Sequence, residues 1–274
     1  MPELPEVETI VADLRPHLVG RTIVHCELRF PSIVRHPEPE TFIDSITGMR
    51  IEAVGRRGKF IFIALGEGRL LVVHLGMTGQ LRLVDAATEI ANHTHAIFDL
   101  DDGRQLRYRD QRRFGRLLLG TQDELLISGT LPKLGPEPID PSFDAEALFK
   151  RFRRRRAPVK AVLLDQSTVA GVGNIYADES LHRARLRPDR AAGSLSRKSV
   201  RRLHESLRDS LEVAIRNRGS SVDTYRDAWG DMGSQQEELL VYGRAGEPCT
   251  TCGRPLSIVR IAGRSTVFCR RCQH

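Results

Sequence analysis

Two groups of residues in this sequence have types and spacing that could do chemistry. Near the C-terminal end stands Cys249-x2-Cys252-x16-Cys269-x2-Cys272. Each Cys-x-x-Cys pair turns two thiolates toward one ion, and the span between the pairs fits a short hairpin that brings them together. Four thiolates fill a tetrahedral shell and leave no position for a catalytic water, so the ion expected here is one structural Zn2+. The competing reading, two redox dithiols, is disfavoured by the matched pairs and their place in a tail. The second group is Pro2-Glu3. With Met1 removed, Pro2 is a secondary amine beside a carboxylic acid, the equipment for Schiff-base attack on a sugar aldehyde carbon. The plainer reading is the capped start of a helix, and taken alone the first nine residues favour it.

Cations form further clusters. Lys150-Arg151-Phe152-Arg153-Arg154-Arg155-Arg156 places six cations in seven residues, either a solvated face or a polyanion contact. Between Val241 and His274 six arginines stand against one acid, Glu247. A metal-stapled hairpin with that balance suits phosphates better than a core, and it favours the polyanion reading of the first run. Arg107-Tyr108-Arg109-Asp110-Gln111-Arg112-Arg113-Phe114-Gly115 interleaves aromatics with arginines. It reads either as a strand edge with a buried Phe114 or as a loop that pushes a guanidinium and a ring into a base stack. The residues alone do not separate the two. His93-Thr94-His95 lacks a third metal ligand nearby, and His93 reads as a phosphate contact at most.

These side chains need elements to hold them. Val7, Ile10, Val11, Leu14 and Leu18 recur at helical spacing, with Gly20 where a C-terminal cap would sit and Pro2 and Pro5 at the start. From about 21 to 119 the chain reads as short strands: Thr22–Phe30, Arg50–Val54, Phe60–Leu65, Leu70–His74, Gln80–Val84, Ala96–Leu100, Gln105–Arg109 and Arg116–Leu119. Turns such as Gly66-Glu67-Gly68 and Asp101-Asp102-Gly103 separate them, which suggests a sandwich or barrel. Leu134-Gly135-Pro136-Glu137-Pro138-Ile139-Asp140-Pro141 continues neither helix nor strand and reads as a linker. Helices are expected over Asp144 to about Arg155, Pro158–Leu164, Ile175–Ala184 and Arg197–Arg218, the last with Ser196 as N-cap. The turn Val169–Asn174 separates two of them. The polar stretch Gly219–Gln235 reads as a long mobile loop.

At 274 residues the chain is long enough for two domains and a sizeable core, and 40% hydrophobic with 28% charged residues is an ordinary globular balance. No apolar run approaches the roughly 18 residues that span a bilayer. Glu3, Glu6 and Glu8 stand where a signal peptide would carry cations, so a cytoplasmic protein with no membrane partner is expected. A formal charge of +7 suggests a polyanionic partner. Cys26 stands apart from the other four cysteines, which excludes a distributed disulfide framework.

Several stretches together resemble one family, the bacterial formamidopyrimidine-DNA glycosylases. They are Pro2-Glu3-Leu4-Pro5-Glu6-Val7-Glu8-Thr9, Arg57-Gly58-Lys59-Phe60, His74-Leu75-Gly76-Met77-Thr78-Gly79, Arg109–Gly115, Leu134–Pro138, Gly173-Asn174-Ile175-Tyr176 and the four-cysteine finger. The likeness runs over nearly the whole chain. It implies an α+β fold: an N-terminal catalytic β-sandwich with flanking helices over 1–132, then a linker and a helix–two-turn–helix domain over 133–240. A zinc-finger hairpin over 241–274 completes it. Duplex DNA carrying oxidised bases would lie between the domains, and the enzyme would act as a monomer.

The resemblance also implies roles. Pro2 would attack C1′ of a damaged nucleotide flipped from the duplex, and Glu3 would be the acid that opens the deoxyribose ring. Lys59 would serve β-elimination as general acid/base and phosphate contact, and Arg264 would hold the phosphate and assist δ-elimination. His93, Arg112, Arg155, Asn174 and Tyr176 fall at DNA-contact positions. Lys160 matches a helix lysine used on the oxidised purine, the alternative being a surface cation. Met77, Arg112 and Phe114 match the trio that fills the vacated stack, with Arg112 facing the orphaned cytosine. That trio argues against the endonuclease VIII type, which acts on oxidised pyrimidines. Retention of Pro2 and Glu3 argues against a non-catalytic zinc protein that only binds damaged DNA. The sequence departs from the family after Thr224, around Trp229 and Met232, and at Gln111, where some relatives have proline.

Overall fold

The helical spacing at the N-terminus becomes α1 (Leu4–Leu18), with Pro5 in its first turn and Gly20 left-handed just beyond its end. The backbone N–H of Glu3 donates to the Glu6 carboxylate at 2.7 Å, satisfying one donor that the helix start leaves without a partner. Val7, Ile10, Val11, Leu14 and Leu18 are fully buried along one face. Burial of side chains of this size contributes about 1.5–3 kcal/mol each before chain entropy is subtracted, enough to pin the helix.

The computed structural model describes residues 1–274, which divide into two units, 1–133 with 217–234 and 134–216 with 235–274. In the first unit α1 is followed by β1 (Ile23–Leu28), β2 (Val34–His36), α2 (Pro39–Ile46), β3 (Ile51–Arg57), β4 (Phe60–Leu65) and β5 (Arg69–His74). Then come β6 (Gly79–Asp85), β7 (Thr94–Leu100), β8 (Arg104–Asp110), β9 (Arg116–Thr121) and α3 (Gln122–Ile127). One sheet has the order β1-β7-β8-β6 and the other β2-β9-β5-β4-β3, with β2 against β9 the parallel pair. Phe98, Leu106 and Leu81 from the first sheet share a core with Ile61, Ile63, Val73 and Leu117 from the second. Tyr225 and Ala228, in the segment expected to be a mobile loop, belong to the same core.

In the second unit α4 (Ala145–Phe152) is capped by Asp144, whose carboxylate accepts the Ala147 N–H at 2.8 Å. It is followed by α5 (Val159–Leu164), α6 (Asn174–Arg183) and α7 (Arg197–Arg216), and α4 and α6 both pack on α7. The turn between α5 and α6 is held by Gln166, which accepts from Gly171 N at 2.9 Å and donates to Val172 O at 2.8 Å. The chain ends in an antiparallel hairpin, β10 (Ser257–Ile261) and β11 (Arg264–Phe268). Its two turn residues, Ala262 and Gly263, both have positive φ, as a turn matching the strand twist requires. No helix is long and apolar enough to cross a membrane.

Candidate functional site

The residues expected to do chemistry fall into both units. In the first, Pro2 and Glu3 sit at the head of α1, and Glu3 is 2% exposed. Lys59 lies in the tight turn Gly58-Lys59 between β3 and β4 and is also buried. The Arg56 guanidinium donates to the Glu8 carboxylate at 2.7 Å, tying that hairpin to α1. His74, at the end of β5, packs its ring against Phe60 at 4.7 Å. Burial lowers its imidazole from the ordinary 6.5 to about 4, reinforced by the Arg116 and Lys59 charges and opposed by Asp110. His74 is therefore neutral at physiological pH, and its Nδ1 accepts the Gly76 N–H at 3.3 Å.

Met77 and the pair Arg112 and Phe114 lie on two loops that meet. Phe114 is 53% exposed, so the reading of a buried strand-edge ring is set aside, and the Arg112 guanidinium lies over that ring at 4.8 Å. His93 is exposed and left-handed, and with Arg29 and Arg113 it lines a polar hollow of about 250 Å³ suited to an anion.

The stretch 219–235 lies against the first unit through polar contacts that composition alone did not reveal. The Glu6 carboxylate that receives Glu3 N also accepts Ser220 N at 2.8 Å. Gln80 donates to Thr224 O at 2.9 Å, and Arg82 to Trp229 O at 2.8 Å. Arg218 bridges Asp13 of α1 at 2.7 Å and Asp227 at 2.5 Å, while Asp227 accepts the N–H groups of Trp229, Gly230 and Asp231.

In the second unit Asn174 opens α6 and donates to Ser265 O at 3.1 Å, beside the exposed Arg264 at the start of β11. Arg155 is exposed and donates to Thr168 Oγ1 at 3.3 Å, and Tyr176 is fully buried. Lys160 is fully buried, so it is not the surface cation of the alternative reading. Its ammonium pairs with Asp178 Oδ1 at 2.7 Å and donates to Ser265 O at 3.0 Å and Thr266 Oγ1 at 2.8 Å. Burial pushes the Asp178 carboxyl up to about 7 against the opposing pull of Lys160, and its Oδ2 accepts Val267 N at 3.1 Å. The next residue, Glu179, accepts the N–H groups of Leu240, Val241 and Tyr242, each at 2.9 Å. Two successive carboxylates of α6 thus fasten the finger at two points. The only signal in the sequence was the adjacent acids Asp178 and Glu179 within an expected helix, whose residues from Ile175 to His182 the structure buries.

The four cysteine Sγ atoms lie within 4.8 Å of one another, with Cys249–Cys272 at 3.9 Å and Cys252–Cys269 at 3.5 Å. Zinc–sulfur bonds of about 2.3 Å at tetrahedral angles separate sulfurs by roughly 3.8 Å, so the donor set fits one structural zinc. The Arg254 backbone N–H lowers the Cys252 thiol to about 7, while burial and the neighbouring cysteines push the Cys272 thiol up to about 12. Cys26 is alone and buried, its thiol pushed up to about 12 by burial.

Comparison with known proteins gives this arrangement its class. Residues 1–117 match the formamidopyrimidine-DNA glycosylase N-terminal domain, 134–226 the formamidopyrimidine-DNA glycosylase H2TH domain, and 246–274 the zinc finger found in FPG and IleRS. Together they define a DNA-repair glycosylase with a helix–two-turn–helix domain and a zinc hairpin. The formamidopyrimidine-DNA glycosylase of Moorella thermoacetica is 50% identical over 260 residues, 95% of each chain. Two solved structures of the Lactococcus lactis protein are each 37% identical with a TM-score of 0.92. One is a complex with abasic-site DNA and covers 99% of both chains; the other holds N7-benzyl-Fapy-dG DNA and covers 100% of both. The chain belongs to the formamidopyrimidine-DNA glycosylase family.

Proposed function

We propose that this glycosylase is bifunctional, removing 8-oxoguanine and formamidopyrimidines opposite cytosine in duplex DNA and then cleaving the strand at the abasic site. The observation that carries the proposal is the burial of Glu3 beside Pro2 at the head of a helix anchored by six buried aliphatic side chains. A nucleophile and acid at a chain end act on one carbon only if they are held still. In the mature chain, with Met1 removed, the Pro2 nitrogen attacks C1′ as the glycosidic bond breaks and the base departs. Glu3 protonates the ring oxygen, opening the sugar to an iminium. Lys59 serves proton transfer and the phosphate in β-elimination, and Arg264 with Asn174 holds the phosphate lost in δ-elimination. Hydrolysis then frees Pro2.

Met77 and Phe114 fill the vacated stack and Arg112 faces the unpaired cytosine. His93 and Arg155 contact phosphates. The Lactococcus lactis complexes, with an abasic site in one and a Fapy lesion in the other, support DNA of this kind as the ligand. The test compares duplexes bearing 8-oxoguanine or thymine glycol. The expected result is preferential cleavage at 8-oxoguanine, leaving phosphates on both sides of a one-nucleotide gap. Preference for thymine glycol, or an intact abasic strand as the only product, overturns the proposal.

A further inference from the structure

Asp110 lies at the end of β8 among Arg107, Arg109, Arg112 and Arg113, yet its carboxylate is fully buried and bonds to none of their guanidinium groups. It instead accepts from four uncharged donors. Oδ1 takes the Thr78 hydroxyl at 2.5 Å and Arg112 N at 3.2 Å; Oδ2 takes Gly115 N at 2.8 Å and the Tyr108 hydroxyl at 3.3 Å. Its own backbone extends the knot. Asp110 N donates to His93 O at 3.0 Å, and its carbonyl oxygen meets the His95 ring nitrogen at 2.7 Å. One residue therefore fastens two loops, 75–78, which bears Met77, and 111–115, which bears Arg112 and Phe114, to the head of β7 and the turn before it, which bears His93.

The first two loops also touch directly. A Cβ added to Gly76 would lie 2.6 Å from Gly115 N and from Phe114 C, so these glycines permit an approach that no other residue allows. Thr78 completes the link, since its hydroxyl donates to Asp110 and accepts Arg112 N at 3.1 Å. A donor that is also an acceptor strengthens both of its bonds.

We infer that Asp110, acting through Thr78, is the positioning residue that sets Met77, Arg112 and Phe114 as one rigid wedge for the emptied base stack. The inference rests on the wedge reading of those three side chains and adds what holds them in register. Four donors arranged around two oxygens require a group that only accepts. In Asp110→Asn the amide nitrogen faces either Thr78 with Arg112 or Gly115 with Tyr108, donor against donor. A charge-assisted hydrogen-bond set of this kind fixes geometry as well as energy.

Because Asp110 is fully buried, its own replacement can disturb the fold, and Thr78 provides the decisive variants. The experiment measures single-turnover excision of 8-oxoguanine opposite cytosine and opposite adenine, and borohydride trapping on a single-stranded abasic oligonucleotide, which has no stack to fill. Thr78→Val lowers duplex excision about tenfold and narrows the cytosine-to-adenine ratio, and Thr78→Ser restores both. Single-stranded trapping stays at the wild-type level in every Thr78 variant. Asp110→Asn, where it folds, behaves like Thr78→Val, whereas Tyr108→Phe, which removes a donor without joining the loops, leaves excision unchanged. If Met77→Ala and Phe114→Ala reduce excision but Thr78→Val does not, the positioning role is wrong and the wedge stands. If Met77→Ala and Phe114→Ala both excise like the wild type, the wedge reading falls and the inference falls with it.

Discussion

Two clusters in this molecule hold loops in place by opposite means. In the first unit the Asp110 carboxylate gathers four protein donors, and its partners come from β8 and the loops beside it. In the second unit Cys249, Cys252, Cys269 and Cys272 converge within 4.8 Å, and four sulfurs that close need a cation to hold them. The carboxylate knot is complete from the protein's own atoms and is backed by a two-sheet core, whereas the finger's core is small, Val241, Leu256 and Val267 around the cysteines. Short chain segments with little to bury depend on a staple. The wedge loops are therefore expected to survive metal removal and the finger is not.

Stripping the zinc breaks the comparison most forcefully. Structural zinc in finger peptides contributes on the order of 10–16 kcal/mol, so its removal unfolds the β10–β11 hairpin and abolishes duplex binding measured by fluorescence anisotropy. The single tryptophan, Trp229, packs edge-on against His17 at 5.0 Å within the first unit, and its emission stays native through the same treatment. Retained affinity would show that the finger does not need its metal to bind, and a shift of the tryptophan signal would show that the two clusters are not independent.

Within the second unit the Lys160–Asp178 pair is a further support for the hairpin. Lys160→Met leaves a buried carboxyl without its partner, a change that costs about 3–5 kcal/mol. The second-unit transition in denaturant moves accordingly, and adding Asp178→Asn, which removes the charge and keeps an acceptor for Val267 N, recovers most of the loss. A single variant as stable as the wild type would deny the pair that role.

The smallest effect separates the units by pH. The folded-state pKa of His74 lies below its unfolded value, so the unfolded chain binds the extra proton between pH 6.5 and about 4. The stability it contributes is complete above 6.5 and is lost as pH falls through that window. His74→Gln flattens this part of the melting-temperature profile, and an unchanged profile would contradict the assignment.

Much of this was readable from pattern. Phe60–Leu65 is a strand over the expected span, and α1 carries its apolar face where the spacing put it. The helices Pro39–Ile46 and Gln122–Ile127 escaped because each is too short for periodicity to register, although Thr121 and Glu124 form a capping box. The stretch 219–235 looked like a free loop because its polarity was visible while its partners, Glu6, Gln80 and Arg82, lie far away in sequence. Asp110 was masked in the same way. Its motif was evident, but its bond to Thr78 spans 32 residues and no local pattern encodes it. The pairing of Lys160, which the resemblance assigned to the oxidised purine, was hidden for the same reason, since its partner Asp178 lies on another helix.

The proposed chemistry depends first on the amine of Pro2 forming the covalent bond to the damaged nucleotide. The most direct measurement is borohydride trapping on an 8-oxoguanine duplex, followed by mass-spectrometric mapping of the reduced adduct. The adduct is expected on Pro2 at the processed chain start, with trapping lost when that amine is blocked. An adduct on a lysine such as Lys59, or trapping undiminished by blocking Pro2, contradicts it.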